Sequence, residues 1–175
     1  MRRFSYVIII FLCFSFLWVT WSQAFEAKEV AIAHKYIAQK SKELSWPSIT
    51  PRKFAELLVM GKKVAFVDVR SPMETAIWYP KSDKVMDSFI IPLQEIPSTI
   101  QRIHPEQYDF VILSCPTGPR AATGATLARL MGFDNVYFLR GGNKALGALT
   151  GTFFRKTARR LLKAGKIKEW PKWME

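Results

Sequence analysis

Histidine and cysteine are nearly absent from this chain, with two of each in 175 residues, and that scarcity removes most routes to a metal centre or a Cys–His relay. His34 and His104 stand alone, without a nucleophile or carboxylate motif beside them, so neither is expected to serve as a general base. The chain carries no C-x-x-C, H-E-x-x-H, G-x-G-x-x-G or P-loop pattern, and accordingly no metal and no organic cofactor is expected. Internal repeats and low-complexity tracts are lacking too, which leaves one domain of ordinary size. Acidic residues are few: 14 Asp and Glu stand against 26 Lys and Arg, a formal charge of +12.

What is present begins with an apolar leader. Met1-Arg2-Arg3 precedes an uncharged run from Phe4 to Trp21, followed by Ser22-Gln23-Ala24. The pattern is that of a secretory signal, although 18 apolar residues also approach the length that spans a bilayer, so residues 1–24 are read as a signal peptide or an N-terminal membrane anchor. Paired arginines stay on the cytoplasmic side, and the rest of the chain is therefore expected outside the cytoplasm, periplasmic or membrane-anchored. Arg2 and Arg3 are the only charges in residues 1–24, so the remainder still carries +10, two fewer than the whole chain's +12. Such a surface suits small anions, an acidic partner protein or anionic membrane; an export signal separates it from nucleic acid, which is not expected as a partner. Cys13 lies inside the leader, so a cleaved chain keeps Cys115 as a lone thiol with no internal disulfide to form.

Residues 25–47 read as a leading helix and linker, with Val30, Ala33, Ile37 and Leu44 near one face. The main domain is expected over 48–150. Thr50-Pro51 supplies an N-cap and a first-turn proline for a helix that stops at Gly61. Short runs rich in Val, Ile and Phe at 64–68, 89–91, 110–113 and 136–138 look like buried parallel strands, and helical stretches fall between and after them at 93–102, 119–131 and 143–163. This alternation predicts an α/β fold, a parallel sheet with helices on both faces. Residues 151–175 read as a basic amphipathic C-terminal helix and tail, its stripe of Phe154, Ala158, Leu161 and Leu162 expected to pack on the domain. Trp170 and Trp173 among lysines add a membrane surface as a second possible contact, alongside the N-terminal segment.

Cys115 directly follows an apolar strand and directly precedes a helix, the place where ligands bind in α/β sheets. Gly118 permits a tight loop and Pro119 has no N–H to lose, so the other amides of the loop can turn inward as an anion-binding nest. Together with the helix N-terminus, such a nest favours a thiolate or persulfide anion, and Arg120 adds a cation able to orient an oxyanion. Thr117 places a hydroxyl in the loop itself. Arg70 and Glu74, four apart, are expected to brace the fold by a local ion pair, and Asp68 to order loop amides or pair with a nearby cation.

From Thr50 to about Leu149 the chain resembles the rhodanese domain. Val67-Asp68-Val69-Arg70-Ser71-Pro72-Met73-Glu74 is similar to the D-V-R-x-x-x-E motif, and Phe89-Ile90-Ile91-Pro92-Leu93 to the strand end that follows it. Cys115 to Arg120 matches the six-residue C-x4-R loop, and Val136 to Gly142 the later strand ending in Gly-Gly. The resemblance implies a rhodanese-like fold and a sulfurtransferase without cofactor. Cys115 would carry sulfane sulfur as a persulfide from a donor such as thiosulfate or polysulfide to a thiol or cyanide. Pro116, Thr117, Gly118, Pro119 and Arg120 would bind substrate, and Asp68, Arg70 and Glu74 would support the site. The partner would be a small sulfur-containing anion or a persulfide or thiol protein.

Two departures qualify the match. Pro116 stands where many members have a basic residue after the cysteine, so thiosulfate turnover is expected to be weak. The H-I-P-G-A stretch is replaced by residues 75–88, where Trp78 and Tyr79 are expected to seal a loop against the core. A non-turnover sulfur carrier or partner-binding module is the first alternative reading. A cysteine phosphatase or arsenate reductase, whose loop is longer by one residue, is the second.

Overall fold

The structure, a computed structural model, describes residues 28–42, 45–81 and 84–174. The leader, residues 1–24, lies outside them, and no helix among the described residues is long and apolar enough to cross a membrane. Residues 28–42 form helix α1, which belongs to one compact unit; everything from residue 45 onward belongs to a second. Val30, Ile32, Tyr36 and Ile37 of α1 are exposed.

The second unit is built on five parallel strands: β1 (Ser48–Ile49), β2 (Val64–Asp68), β3 (Asp87–Ile90), β4 (Phe110–Ser114) and β5 (Val136–Leu139), in the spatial order β1-β5-β4-β2-β3. β2 is buried along its whole length, as a strand covered on both faces must be. Alternate side chains divide between two cores. Ala65, Val67, Val111, Leu113, Val136 and Phe138 pack with Ile96 of α4 (Ile96–Thr99) and with Ala121, Ala125 and Ala128 of α5 (Pro119–Leu130). On the opposite face Val64, Phe66, Ile112 and Leu139 meet Phe54, Leu57 and Leu58 of α2 (Pro51–Val59). Helices therefore cover both faces of the sheet, as the alternation of runs predicts.

Three elements differ from expectation. The helix expected at 93–102 is a chain of single turns: 3-10 at Leu93–Glu95, α4, and 3-10 again at Ile100–Ile103. Pro97 near the start of α4 has no N–H to give a longer α-helix. The helix expected over 143–163 is two, α6 (Gly142–Leu146) and α7 (Gly151–Lys163), because Thr150 caps α7 afresh by accepting the Phe153 N–H at 3.3 Å. β1 carried no signal, being two residues beside Pro47; it is held by Phe138 N–H donating to the Pro47 carbonyl at 2.7 Å and Arg140 N–H to that of Ile49 at 2.9 Å.

The basic tail is part of the fold. Ala158 and Leu161 of α7 form a buried cluster with Val59 of α2, against which Trp170 and Trp173 pack, and Arg160 pairs with Glu56. Trp173 meets Phe154 edge-on at 5.6 Å. Near the start of β3, the Tyr108 hydroxyl donates to Asp87 at 2.9 Å. Burial first, and then this bond to a carboxylate, push the Tyr108 phenol up to about 12. A folded value above the ordinary one favours the neutral phenol, so its contribution is complete below pH 10.0 and disappears as pH rises through about 12. An ultraviolet phenolate titration should show one tyrosine ionising near pH 12, moved toward 10 by Asp87→Asn.

Candidate functional site

Cys115 sits at the carboxyl end of β4, only 1% exposed, and its Sγ accepts the Gly118 N–H at 3.1 Å. Gly118, at φ 119°, is the N-cap of α5, so the chain turns sharply under the sulfur before the helix begins at Pro119. Thr117 and Pro119 are exposed on the loop and Pro116 is half-buried. The loop carbonyls face away from the sulfur toward α6: Asn143 N–H donates to Cys115 O at 2.7 Å, and Lys144 N–H to Pro116 O at 3.1 Å. With those carbonyls turned aside, the amide of Gly118 is free to face the thiol, as an anion nest requires.

Gly142 makes that grip possible. It has φ 58°, and a Cβ on it would lie 2.1 Å from Cys115 O, 2.7 Å from Thr117 N and 2.8 Å from the Pro116 carbonyl carbon. Only a residue without a side chain lets α6 approach the cysteine loop this closely.

The expected Arg70–Glu74 side-chain pair is not formed, and the charges are partnered differently. Arg70 precedes α3 (Pro72–Ile77), so the helical i,i+4 rule does not govern it. Its Nη2 lies 2.8 Å from Asp68 Oδ2, and its Nε donates to both Asp68 oxygens at 2.9 Å. Glu74 closes a capping box on α3, accepting from the Ser71 N–H at 3.0 Å and hydroxyl at 2.9 Å. The same carboxylate takes Arg120 in a two-pronged pair, with Nη1 to Oε2 at 2.8 Å and Nη2 to Oε1 at 2.7 Å. The Arg120 bond foremost, then those from Ser71, hold the Glu74 carboxyl well below the usual carboxylate range. Arg120, expected as a cation open to an oxyanion, is thus paired with Glu74 across 46 residues of sequence, although it still feels the Cys115 sulfur.

Asp68 is buried and joins the cysteine loop through residues that pattern reading missed. Asn143 Nδ2 donates to Asp68 Oδ2 at 3.1 Å, while the Ser114 hydroxyl donates to Asn143 Oδ1 at 2.7 Å. The Gly-Gly pair after β5 was read only as a landmark of the resemblance, and nothing marked Asn143 beside it. Trp78 is no core plug: it is 53% exposed, its ring lies 5.9 Å from the Arg70 guanidinium carbon, and its carbonyl accepts from Arg70. Structure therefore gathers Cys115, the 116–120 loop, Asp68, Arg70 and Glu74 at the carboxyl edge of β2 and β4. It adds Ser114, Gly142, Asn143 and Trp78.

The model of the rhodanese-like domain matches residues 50–148. The probable adenylyltransferase/sulfurtransferase MoeZ of Mycobacterium tuberculosis is 32% identical over 95 residues, 54% of this chain; the match spans only 23% of that protein. Among solved structures, the human single-domain sulfurtransferase TSTD1 is 21% identical, with a TM-score of 0.48 over 61% of this chain and 99% of its own. A protein of unknown function from Rhodopseudomonas palustris, described as a possible tyrosine phosphatase, is also 21% identical, with a TM-score of 0.49 over 66% and 89%.

Proposed function

The chain belongs to the rhodanese-like family, and from that premise we propose that it is a sulfurtransferase in which Cys115 carries one sulfane sulfur. The observation that carries this reading is the Gly118 N–H on Cys115 Sγ, at the start of a helix and within a loop tied down by α6. In the first half-reaction the Cys115 thiolate attacks the sulfane sulfur of the donor, an S–S bond forms to Cys115, and the donor's own S–S bond breaks to release sulfite or a shortened polysulfide. In the second, a thiolate or cyanide attacks the outer sulfur and Cys115 leaves as thiolate. The amide stabilises the negative sulfur in the resting and departing states.

The donor this site suits is a persulfide or polysulfide rather than thiosulfate. Pro116 offers neither charge nor N–H, Arg120 is engaged by Glu74, and Arg70 by Asp68, so a dianion meets no unpaired guanidinium among these. Glu74→Gln keeps a capping side chain on α3 while releasing Arg120. We expect it to lower the KM for thiosulfate by about 2- to 5-fold, the scale of one exposed ion pair, and to leave the polysulfide KM unchanged. Equal changes for both donors would refute this assignment of Arg120. The N-terminal sequence supports placing this chemistry outside the cytoplasm, where, once the leader is cleaved, Cys115 has no second cysteine to close a disulfide with.

The function is tested by intact-mass measurement of the full chain after polysulfide or thiosulfate. A gain of about 32 Da, one sulfur, removed by dithiothreitol, is expected. Absence of an adduct with every sulfane donor would overturn the proposal.

A further inference from the structure

The peptide that carries the sulfur is braced from outside its own loop, and one residue joins the braces. Asn143, the second residue of α6, reaches three chain positions at once. Its N–H donates to Cys115 O at 2.7 Å, its Nδ2 to Asp68 Oδ2 at 3.1 Å, and its Oδ1 accepts the Ser114 hydroxyl at 2.7 Å. Chemistry settles the direction of these bonds. Asp68, paired with the Arg70 guanidinium at 2.8 Å, is a carboxylate and only accepts, so the amide turns its NH2 toward Asp68 and its oxygen toward Ser114. Ser114 and Asp68 are both fully buried, so water does not compete for them, and a buried hydroxyl requires a partner of this kind.

We infer that Asn143 is a positioning residue for Cys115, holding it with Sγ against the Gly118 amide; the inference rests on the sulfurtransferase reading. Ser114 O accepts the Val69 N–H at 2.8 Å, which fixes the end of β4 beside β2. That bond alone leaves the chain beyond Ser114 free to turn. Asn143 removes the freedom by gripping the Ser114 side chain on one side of the peptide bond and Cys115 O on the other. A backbone fixed at both points determines where the cysteine side chain is aimed, and Sγ meets the Gly118 N–H at 3.1 Å. The Asn143 amide has a partner at each end, so it acts through Cys115 and not on the donor. Arg70 completes the brace, because Asp68 Oδ2 accepts from its Nη2 as well as from Asn143.

The test follows single-turnover sulfur uptake from inorganic polysulfide by the full chain in phosphatidylcholine nanodiscs, trapped with iodoacetamide and read on the peptide bearing Cys115. Asn143→Ala keeps the backbone N–H and loses the bridge. It should lower the maximal uptake rate about tenfold, part of the cost of misplacing a nucleophile, and leave the half-saturating polysulfide concentration unchanged. Ser114→Ala should cost about 3-fold, and the double variant should be no slower than Asn143→Ala, as for two ends of one bridge. Asn135, whose Nδ2 donates to the carbonyls of Pro105 and Tyr108 at 2.8 and 2.9 Å ahead of β5, measures a purely structural loss. Asn135→Ala should lower the melting temperature as much as Asn143→Ala and keep the parental rate. A folded Asn143→Ala that takes up sulfur at the parental rate, a rate loss recovered by raising polysulfide, or an equal loss in Asn135→Ala would each overturn the inference. Should Asn143→Ala not fold, Ser114→Ala at the parental rate would overturn it. A parent chain without any uptake would overturn the sulfurtransferase reading and this inference with it.

Discussion

Cys115→Ser should leave the fold in place and remove all donor-dependent mass gain. The serine hydroxyl is smaller than the thiol and can accept the same Gly118 N–H, now made to Sγ at 3.1 Å, so the loop keeps its anchor. Burying a hydroxyl within the apolar cluster around Cys115 costs about 1 kcal/mol, a modest fall in melting temperature. Chemistry is lost outright, because the alkoxide is inaccessible near neutral pH and oxygen forms no persulfide. Cys13 is the only other cysteine, so mapping the adduct to the peptide containing Cys115 completes the assignment. A serine variant that still gained sulfur on a peptide from the domain would refute Cys115 as the carrier.

Gly142→Ala should be the most damaging single methyl group in the domain. Its Cβ would lie 2.1 Å from Cys115 O, where no adjustment of a flexible side chain can relieve the contact, and its φ of 58° already disfavours alanine. The left-handed conformation costs roughly 1–2 kcal/mol and overpacking about 1–3 more. The Asn143 and Lys144 amide bonds to the loop, about 1 kcal/mol each, are strained as α6 is pushed off. A loss of about 3–5 kcal/mol in denaturant unfolding is expected, and at least about 100-fold in the rate of sulfur uptake, since displacement of the nucleophile by an ångström costs that much. Gly141→Ala is the control. It also has a positive φ of 78°, but its added Cβ meets only the Ala145 Cβ at 3.0 Å, so it should destabilise by roughly 1–2 kcal/mol while sulfur uptake persists. Equal activity of the two variants would show that the approach of α6 to the loop does not matter for the reaction.

Much of this was legible along the chain. The four apolar residues at 64–67, ending on Asp68, read as a strand covered on both faces, and they are one. Thr50-Pro51 caps its helix as its side chain allows; the same signal at Ser71-Pro72 was not read, and the structure supplies it. Cys115 stands between a strand and a helix because Pro119 and Gly118 suit a helix start and the turn before it. These are local matters, settled by side chains within one turn of each other. The helix expected at 143–163 failed for a local reason as well: the apolar periodicity runs through residues 147–150, yet Thr150 offers a new cap and the chain takes it.

The sequence by itself determined the α/β pattern, the position of the nucleophile and the landmarks of its family. Tertiary structure alone decided which charges meet. Spacing rules rank neighbours three or four apart, and so paired Arg70 with Glu74; in the fold Glu74 crosses 46 residues to Arg120, and Asp68 crosses 75 to Asn143. The physical reason is strand order. β4 lies between β2 and β5, so the chain segments leaving those three strands at their carboxyl ends carry Asp68, Cys115 and Gly142 to one edge of the sheet. There the burial of Asp68 demands partners that distance in sequence could not name, and the Gly142 backbone comes close enough to shape the loop that holds the sulfur.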